Sequence, residues 1–480
     1  MIPHVSRRGF LAASAALAAT TALPRFARAG ATPLALTATT RTIEVDGRAA
    51  TVYGLVNAAG KSGLILDPSQ RFQVALTNAL DVQTLVHWHG QIPPNVQDGV
   101  PDMPMPKLKP GETRAYDFVP EVGTYWMHSH IAVQEMAMLA APLIVRSAAD
   151  VKADRQDVVM FLHDFSFKTP EEVLATITGG AAASDGMGQM AGSGGMSGMA
   201  GMAGMGGMAM DINDYDFDAY LANDRTLSDP EVVHVEKGGR IRLRVVNAAA
   251  ATTFWIDTGA VEGRLVAVDG RDVQPLAGHR FGVAMAQRLD IELDLPGSGG
   301  RFPVLAQREG ARDRTGLILA STGAKVQRIE AKAEEGAPAF DMNLAQESRL
   351  RAVNPLAARP VDKAEMVMLS GAMQPYVWTI NGQTWENHVP VTARSGQRVE
   401  LTFHNMSMMA HPMHLHGHTF QVVAIGGRRF AGAMRDTVLV PPMAAVTIAL
   451  DAGEPARWML HCHHIPHMAS GMMTEFAVAA

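Results

Sequence analysis

Arg71-Phe72-Gln73-Val74-Ala75-Leu76-Thr77-Asn78, Arg240-Ile241-Arg242-Leu243-Arg244-Val245-Val246-Asn247 and Arg398-Val399-Glu400-Leu401-Thr402-Phe403-His404-Asn405 are three copies of one pattern. Each opens on Arg, alternates apolar with other residues and closes on Asn. Period-two alternation is the mark of a strand with one face on a core. After each Asn the next strand stays in register, as His87-Trp88-His89-Gly90, Ile256-Asp257-Thr258-Gly259 and His414-Leu415-His416-Gly417. The glycines align, and the middle copy has lost both histidines. A unit repeated at long range predicts three related domains. A chain of 480 residues also suggests about three domains at ~150 residues each.

The segments between the repeats are short β-branched or alternating runs broken by Gly, Pro, Asn and Asp, which predicts all-β sandwich or barrel domains. Helix-period patterns are scarce. The expected domains are 31–150, 151–330 and 355–480, with a charged linker over 331–354. The formal net charge of −6 gives no sign of a nucleic-acid partner. Ser6-Arg7-Arg8-Gly9-Phe10-Leu11 matches the twin-arginine export pattern, an apolar run follows, and Ala27-Arg28-Ala29 is a small-x-small cleavage site. A signal peptide over 1–29 is therefore expected, with twin-arginine machinery as export partner and the periplasm as destination. The apolar run is too short and too rich in alanine to span a membrane. A soluble monomer is expected.

The only cysteine lies in His461-Cys462-His463, with His467 five residues beyond it and Met472 ten beyond it. A thiolate held by two imidazoles, with a weak thioether nearby, is the ligand set of a blue-copper site. Alternate side chains of a strand point to opposite faces. His461 and His463 thus face away from Cys462 and are free to hold a second metal centre. Four His-x-His pairs occur, His87/His89, His128/His130, His414/His416 and His461/His463. Each pair projects from one strand face. Two pairs fall in the first expected domain and two in the third, so a shared site requires the two ends of the chain to meet.

These residues resemble the multicopper oxidase family. The motifs are His87-Trp88-His89-Gly90, Trp126-Met127-His128-Ser129-His130, His411-Pro412-Met413-His414-Leu415-His416-Gly417, and His461-Cys462-His463 with its tail through Met472. The likeness is greatest to the three-domain bacterial branch, with its copper-resistance, cuprous-oxidase-like and laccase-like members. It implies three cupredoxin-like Greek-key β-sandwiches and four copper ions. His411, Cys462 and His467 match the type 1 ligands, with Met472 as axial ligand; Met468 and Met473 are rivals that the ten-residue spacing disfavours. His87 and His414 match type 2 positions. His89, His128, His130, His416, His461 and His463 match the type 3 pair. The implied reaction couples one-electron oxidation at the type 1 copper to four-electron reduction of O2 to water. Asp98 matches an acid near the cluster that relays protons, and Gln97-Asp98-Gly99 also reads as a turn. Met468 stands where some relatives carry a glutamate, which leaves a second proton route open. Asp436 reads equally as a family position or a turn acid. His163, His234, His279, His388, His404, His418 and His464 match no ligand position.

From Thr178 to Met210 the chain is almost entirely Gly, Ala, Ser and Met, with Met196, Met199, Met202, Met205 and Met208 at every third position. Such a segment lacks the bulk to offset chain entropy, so a disordered insertion is expected. Thioethers suit Cu(I); the plain alternative is a flexible loop that happens to contain Met or absorbs oxidants. Met409 lies two residues before His411, where a cuprous-oxidase relative holds substrate copper, although Ser407 replaces the accompanying acid. The favoured substrate is Cu(I), for copper tolerance. Laccase-like oxidation of phenols and aromatic amines is the alternative. A periplasmic copper-binding protein with little turnover is a third reading, disfavoured because every ligand position is filled.

Overall fold

Each repeated pattern forms a strand, Phe72–Asn78, Arg240–Asn247 and Arg398–Asn405. The computed structural model describes residues 32–179 and 212–480. The expected export signal and the methionines from Met187 to Met210 lie outside the described residues.

The three strands occupy the same place in three sheets. Each runs parallel to the first strand of its domain, Leu34–Val45, Gln156–Phe165 or Lys363–Met373. Each runs antiparallel to a later strand on its other side, Thr113–Phe118, Arg288–Asp294 or Ala445–Asp451. The apolar alternates Phe72, Val74, Leu76, Ile241, Leu243, Val245, Val399, Leu401 and Phe403 are buried. Burying one such side chain contributes about 1.5–3 kcal/mol. A one-residue slip would turn the whole set toward the opposite face, so this burial fixes the register.

The closing asparagines explain the turn that follows. The Asn78 amide donates to Val82 O and accepts from Leu80 N–H. Asn247 donates to Thr252 O and accepts from Ala249 N–H, and Asn405 donates to Met409 O and accepts from Ser407 N–H. In each copy a buried side chain takes the place of missing backbone partners and aims the chain into the next strand.

Those next strands, Val86–His89, Phe254–Asp257 and His411–Leu415, lie in the second sheet of each sandwich. Val86–His89 pairs with Gly123–Ser129, placing His87 opposite His128. His411–Leu415 pairs with Arg457–Cys462, placing His414 opposite His461 and Met413 opposite Cys462. The architecture is all-β, with three two-sheet cupredoxin-like sandwiches.

Two segments depart from simple expectation. Alternate arginines usually face water, yet Arg242 and Arg244 are buried. Arg242 reaches Asp150 and Asp290, and Arg244 reaches Asp157, Asp290 and the Thr124 hydroxyl of the first domain. The segment 331–354 has no strand but does not hang free. Ala333, Leu344 and Leu350 are buried, and Gln307 donates to Glu335 O.

The aligned glycines all have positive φ, +83° at Gly90, +62° at Gly259 and +64° at Gly417. A Cβ on Gly417 would lie 2.1 Å from the Trp458 ring, whereas one on Gly259 meets nothing closer than 3.6 Å. Gly259→Ala is therefore expected to cost only the left-handed backbone term, about 1–2 kcal/mol. Gly417→Ala adds a steric clash with buried aromatic packing and should lower the melting temperature by clearly more. Equal losses in a thermal melt would contradict this packing.

Candidate metal centre

Two sets of potential ligands are built, one inside the third domain and one between the first and third. In the first set His411 comes from the strand His411–Leu415, Cys462 ends the strand Arg457–Cys462, and His467 lies on the short helix Ile465–Ala469. The Nδ1 atoms of His411 and His467 are 3.1 Å apart, and each is 3.7 Å from Cys462 Sγ. All three are fully buried in the third-domain core. Met472 is buried in the same core, and its backbone ties the set together. Cys462 N–H donates to Met472 O, and Met472 N–H donates to His467 O. The Ser407 hydroxyl lies 2.8 Å from His411 Nε2, turning the other ring nitrogen toward the sulfur.

The second set joins all four His-x-His pairs. Ligand atoms within 4.8 Å of one another group as His89, His128 and His463; as His130, His416 and His461; and as His87 and His414 with His89. Strand alternation has the predicted effect. Cys462 joins the first set, while its neighbours His461 and His463 fall into two different groups of the second.

Surrounding groups orient these rings. His87 Nδ1–H donates to Asp98 O at 2.8 Å, and His416 Nδ1 lies 2.8 Å from Asp98 Oδ2. Asp98 is buried, and it also closes the short turn Asn95–Gln97, its N–H donating to Asn95 O. His414 Nδ1–H donates to Asp436 O at 2.9 Å, and His89 Nε2 lies 3.2 Å from Asp436 Oδ1. His461 Nδ1–H donates to Cys462 O. Asp436 is held by Arg288 of the second domain, with Nη1 2.7 Å from Oδ1. The domain whose repeat lacks the His-x-His pair thus contributes a buried cation.

Electrostatics suit metal binding. Burial pushes His89, His128, His130, His411, His414, His416 and His463 well below the ordinary imidazole range, and His461 down to about 3. Neutral imidazoles keep a lone pair for a metal. The Nε2 atoms of His87, His130, His414 and His463 are buried without a hydrogen-bond partner among the described residues. Orphaned polar atoms need a partner, and a thiolate-imidazole set beside an all-imidazole set suits copper. Burial pushes the Cys462 thiol up, so a bound cation is needed to hold it as thiolate.

Sequence reasoning missed Arg288, Glu135 and Asp214. Glu135 sits on the helix Ala132–Met136, with Oε2 3.0 Å from His128 Nδ1. Asp214 places Oδ2 3.4 Å from His467 Nε2 and 3.7 Å from His464 Nε2, and accepts from the Tyr376 hydroxyl. Glu135 left a faint signal, an acid within the apolar stretch after His130. Asp214 left none, because it lies in an acidic run that reads as solvated. Met409 is buried at 3% exposure, whereas Met406 and Met408 are 51% and 39% exposed.

A cupredoxin-type fold with this thiolate-centred set and eight converging histidines defines a copper redox protein. Comparisons with known proteins agree. Models of the multicopper oxidase family match residues 37–150, 157–328 and 358–480. The multicopper oxidase MmcO of Mycobacterium tuberculosis is 31% identical over 84% of this chain and 78% of its own length. Copper resistance protein A of Escherichia coli is 24% identical over 84% of this chain and 85% of its own. A multi-copper oxidase from Pseudomonas thermotolerans shares the fold, with a TM-score of 0.68 at 22% identity over 93% of this chain and 98% of that one. The chain belongs to the multicopper oxidase family. It is an oxidoreductase whose cofactors are four copper ions.

Removing one partner of a buried ion pair strands the other charge, at a cost of about 3–5 kcal/mol. Arg288→Met is expected to destabilise the copper-free protein on that scale in a thermal or denaturant melt, and to loosen the histidine set that Asp436 orients. Unchanged stability would show that the pair contributes nothing.

Proposed function

We propose that this oxidase converts Cu(I) to Cu(II) while reducing O2 to water, as a copper-tolerance enzyme exported to the periplasm by the twin-arginine route. His411, Cys462 and His467 would hold the type 1 copper, and Met472 would offer it a further, weak thioether ligand. His87 and His414 would hold the type 2 copper. The sets His89/His128/His463 and His130/His416/His461 would hold the type 3 pair. When bound, the metals supply one-electron transfer and dioxygen reduction.

The protein's own part is positional. The peptide from Cys462 to His461 and His463 is a short covalent path between the two sets. Asp98 holds His87 and His416, and its carboxylate is placed to carry protons toward reduced oxygen. Burial excludes bulk water around both sets.

One observation carries the choice of Cu(I). Asp214 lies four residues after Met210, and its carboxylate sits 3.4 Å from His467 Nε2. Asp214, which follows the methionine run in the sequence, thus sits at the edge of the Cys462 set. The exposed Met406 and Met408 flank Ser407, which touches His411, and thioethers favour Cu(I). Met406 and Met408, rather than the buried Met409, offer surface thioethers there.

Oxygen uptake by the copper-loaded mature protein tests the proposal, driven in parallel by a buffered Cu(I) donor and by a simple phenol. A rate at least tenfold higher with Cu(I) is expected. A faster phenol reaction would make the enzyme laccase-like, with incidental methionines.

A further inference from the structure

Glu135 belongs to no predicted ligand set, yet it is buried at 2% exposure against one. Its two carboxylate oxygens face two rings. Oε2 is 3.0 Å from His128 Nδ1, and Oε1 is 3.7 Å from His463 Nδ1. Glu135 Oε1 and His463 Nδ1 both lack a hydrogen-bond partner among the described residues, so a small closure would satisfy the two together.

The rings it faces share one group with His89 but come from different domains. His128 lies on the first-domain strand Gly123–Ser129, and His463 directly follows the third-domain strand Arg457–Cys462. His128 Nε2 points to His89 Nδ1 at 3.4 Å, so Nδ1 faces away from the group, toward Glu135 Oε2 at 3.0 Å and Ser129 O at 3.1 Å. The helix that carries Glu135 packs against the helix Ile465–Ala469, with Ala132 and Met136 meeting Ile465 and Met468. Met468 is an apolar contact against the helix that brings in the Glu135 carboxylate.

We propose that Glu135 is a positioning residue that accepts Nδ1–H from both His128 and His463. It holds the Nε2 atoms of both rings toward one metal position and joins the first-domain and third-domain halves of the site. The proposal rests on the ligand reading above. It follows the general rule that partners of a ligand's second nitrogen fix tautomer and ring direction.

The test uses the full mature chain with Glu135→Gln and Glu135→Met. The glutamine keeps shape but offers one acceptor and one donor, so one Nδ1–H is left facing an NH2. The methionine keeps volume and offers no strong acceptor. Copper per chain is measured after dialysis against graded chelator, alongside the blue absorption of the Cys462 set. Both variants are expected to bind the histidine-set copper 10–100-fold more weakly while keeping full blue absorption. Wild-type retention in either variant overturns the proposal and leaves the ligand reading intact. Loss of the blue absorption as well would mean a general structural role and would also overturn it. A wild-type chain with no chelator-resistant copper beyond the Cys462 set would defeat the ligand reading itself, and this inference with it.

Discussion

Three domains meet at the buried contact between Arg288 and Asp436. Arg288 comes from the second domain and Asp436 from the third, and the Asp436 side chain also lies 3.2 Å from His89 of the first. Asp436 orients His414 through its main-chain oxygen as well. Around this contact Asp269, Arg435 and Glu347 extend the network, with Arg435 bonded to both acids. The main apolar clusters lie largely one to a domain. Hydrophobic burial therefore builds each sandwich, and the polar network adds the specificity with which the sandwiches dock. A buried charge left unpaired costs several kcal/mol, so a slipped arrangement of domains would pay for every broken contact.

The two ligand sets place different demands on this assembly. The Cys462 set is completed within the core of the third domain. The histidine set is split between residues 87–130 and 414–463 and exists only when the first and third domains face each other. Between the two runs the His461-Cys462-His463 peptide, whose alternation distributes three successive side chains over three groups. The second domain, whose repeat lacks both histidines, contributes Arg288 to this junction instead.

Local patterns were legible in the sequence, and encounters between distant segments were not. Period-two alternation located the repeated strands, because burial of Phe72, Val74 and Leu76 or their counterparts depends on that period alone. The His-x-His spacing marked, for the same reason, the histidines that converge in the structure. Alternation also misleads where a polar face is buried, as with Arg242 and Arg244, whose acidic partners lie far along the chain. Glu135 and Asp214 carry no local mark of their roles, since an acid on a short helix or in an acidic run usually meets water. Met409 shows the converse limit. Its place two residues before His411 resembles a substrate-copper position of a relative and says nothing of exposure; the hydrogen bonds of Asn405 and Ser407 to its carbonyl turn it inward and leave Met406 and Met408 outside.

One thiolate-centred set and one interdomain histidine set are expected to hold four copper ions together. Anomalous diffraction at the copper edge, from crystals of the copper-loaded mature protein, addresses this most directly. One peak is expected among His411, Cys462 and His467 and three among the eight histidines, with His461 and His463 bound to different ions. Peaks confined to the third domain, or His461 and His463 on a single ion, would contradict this.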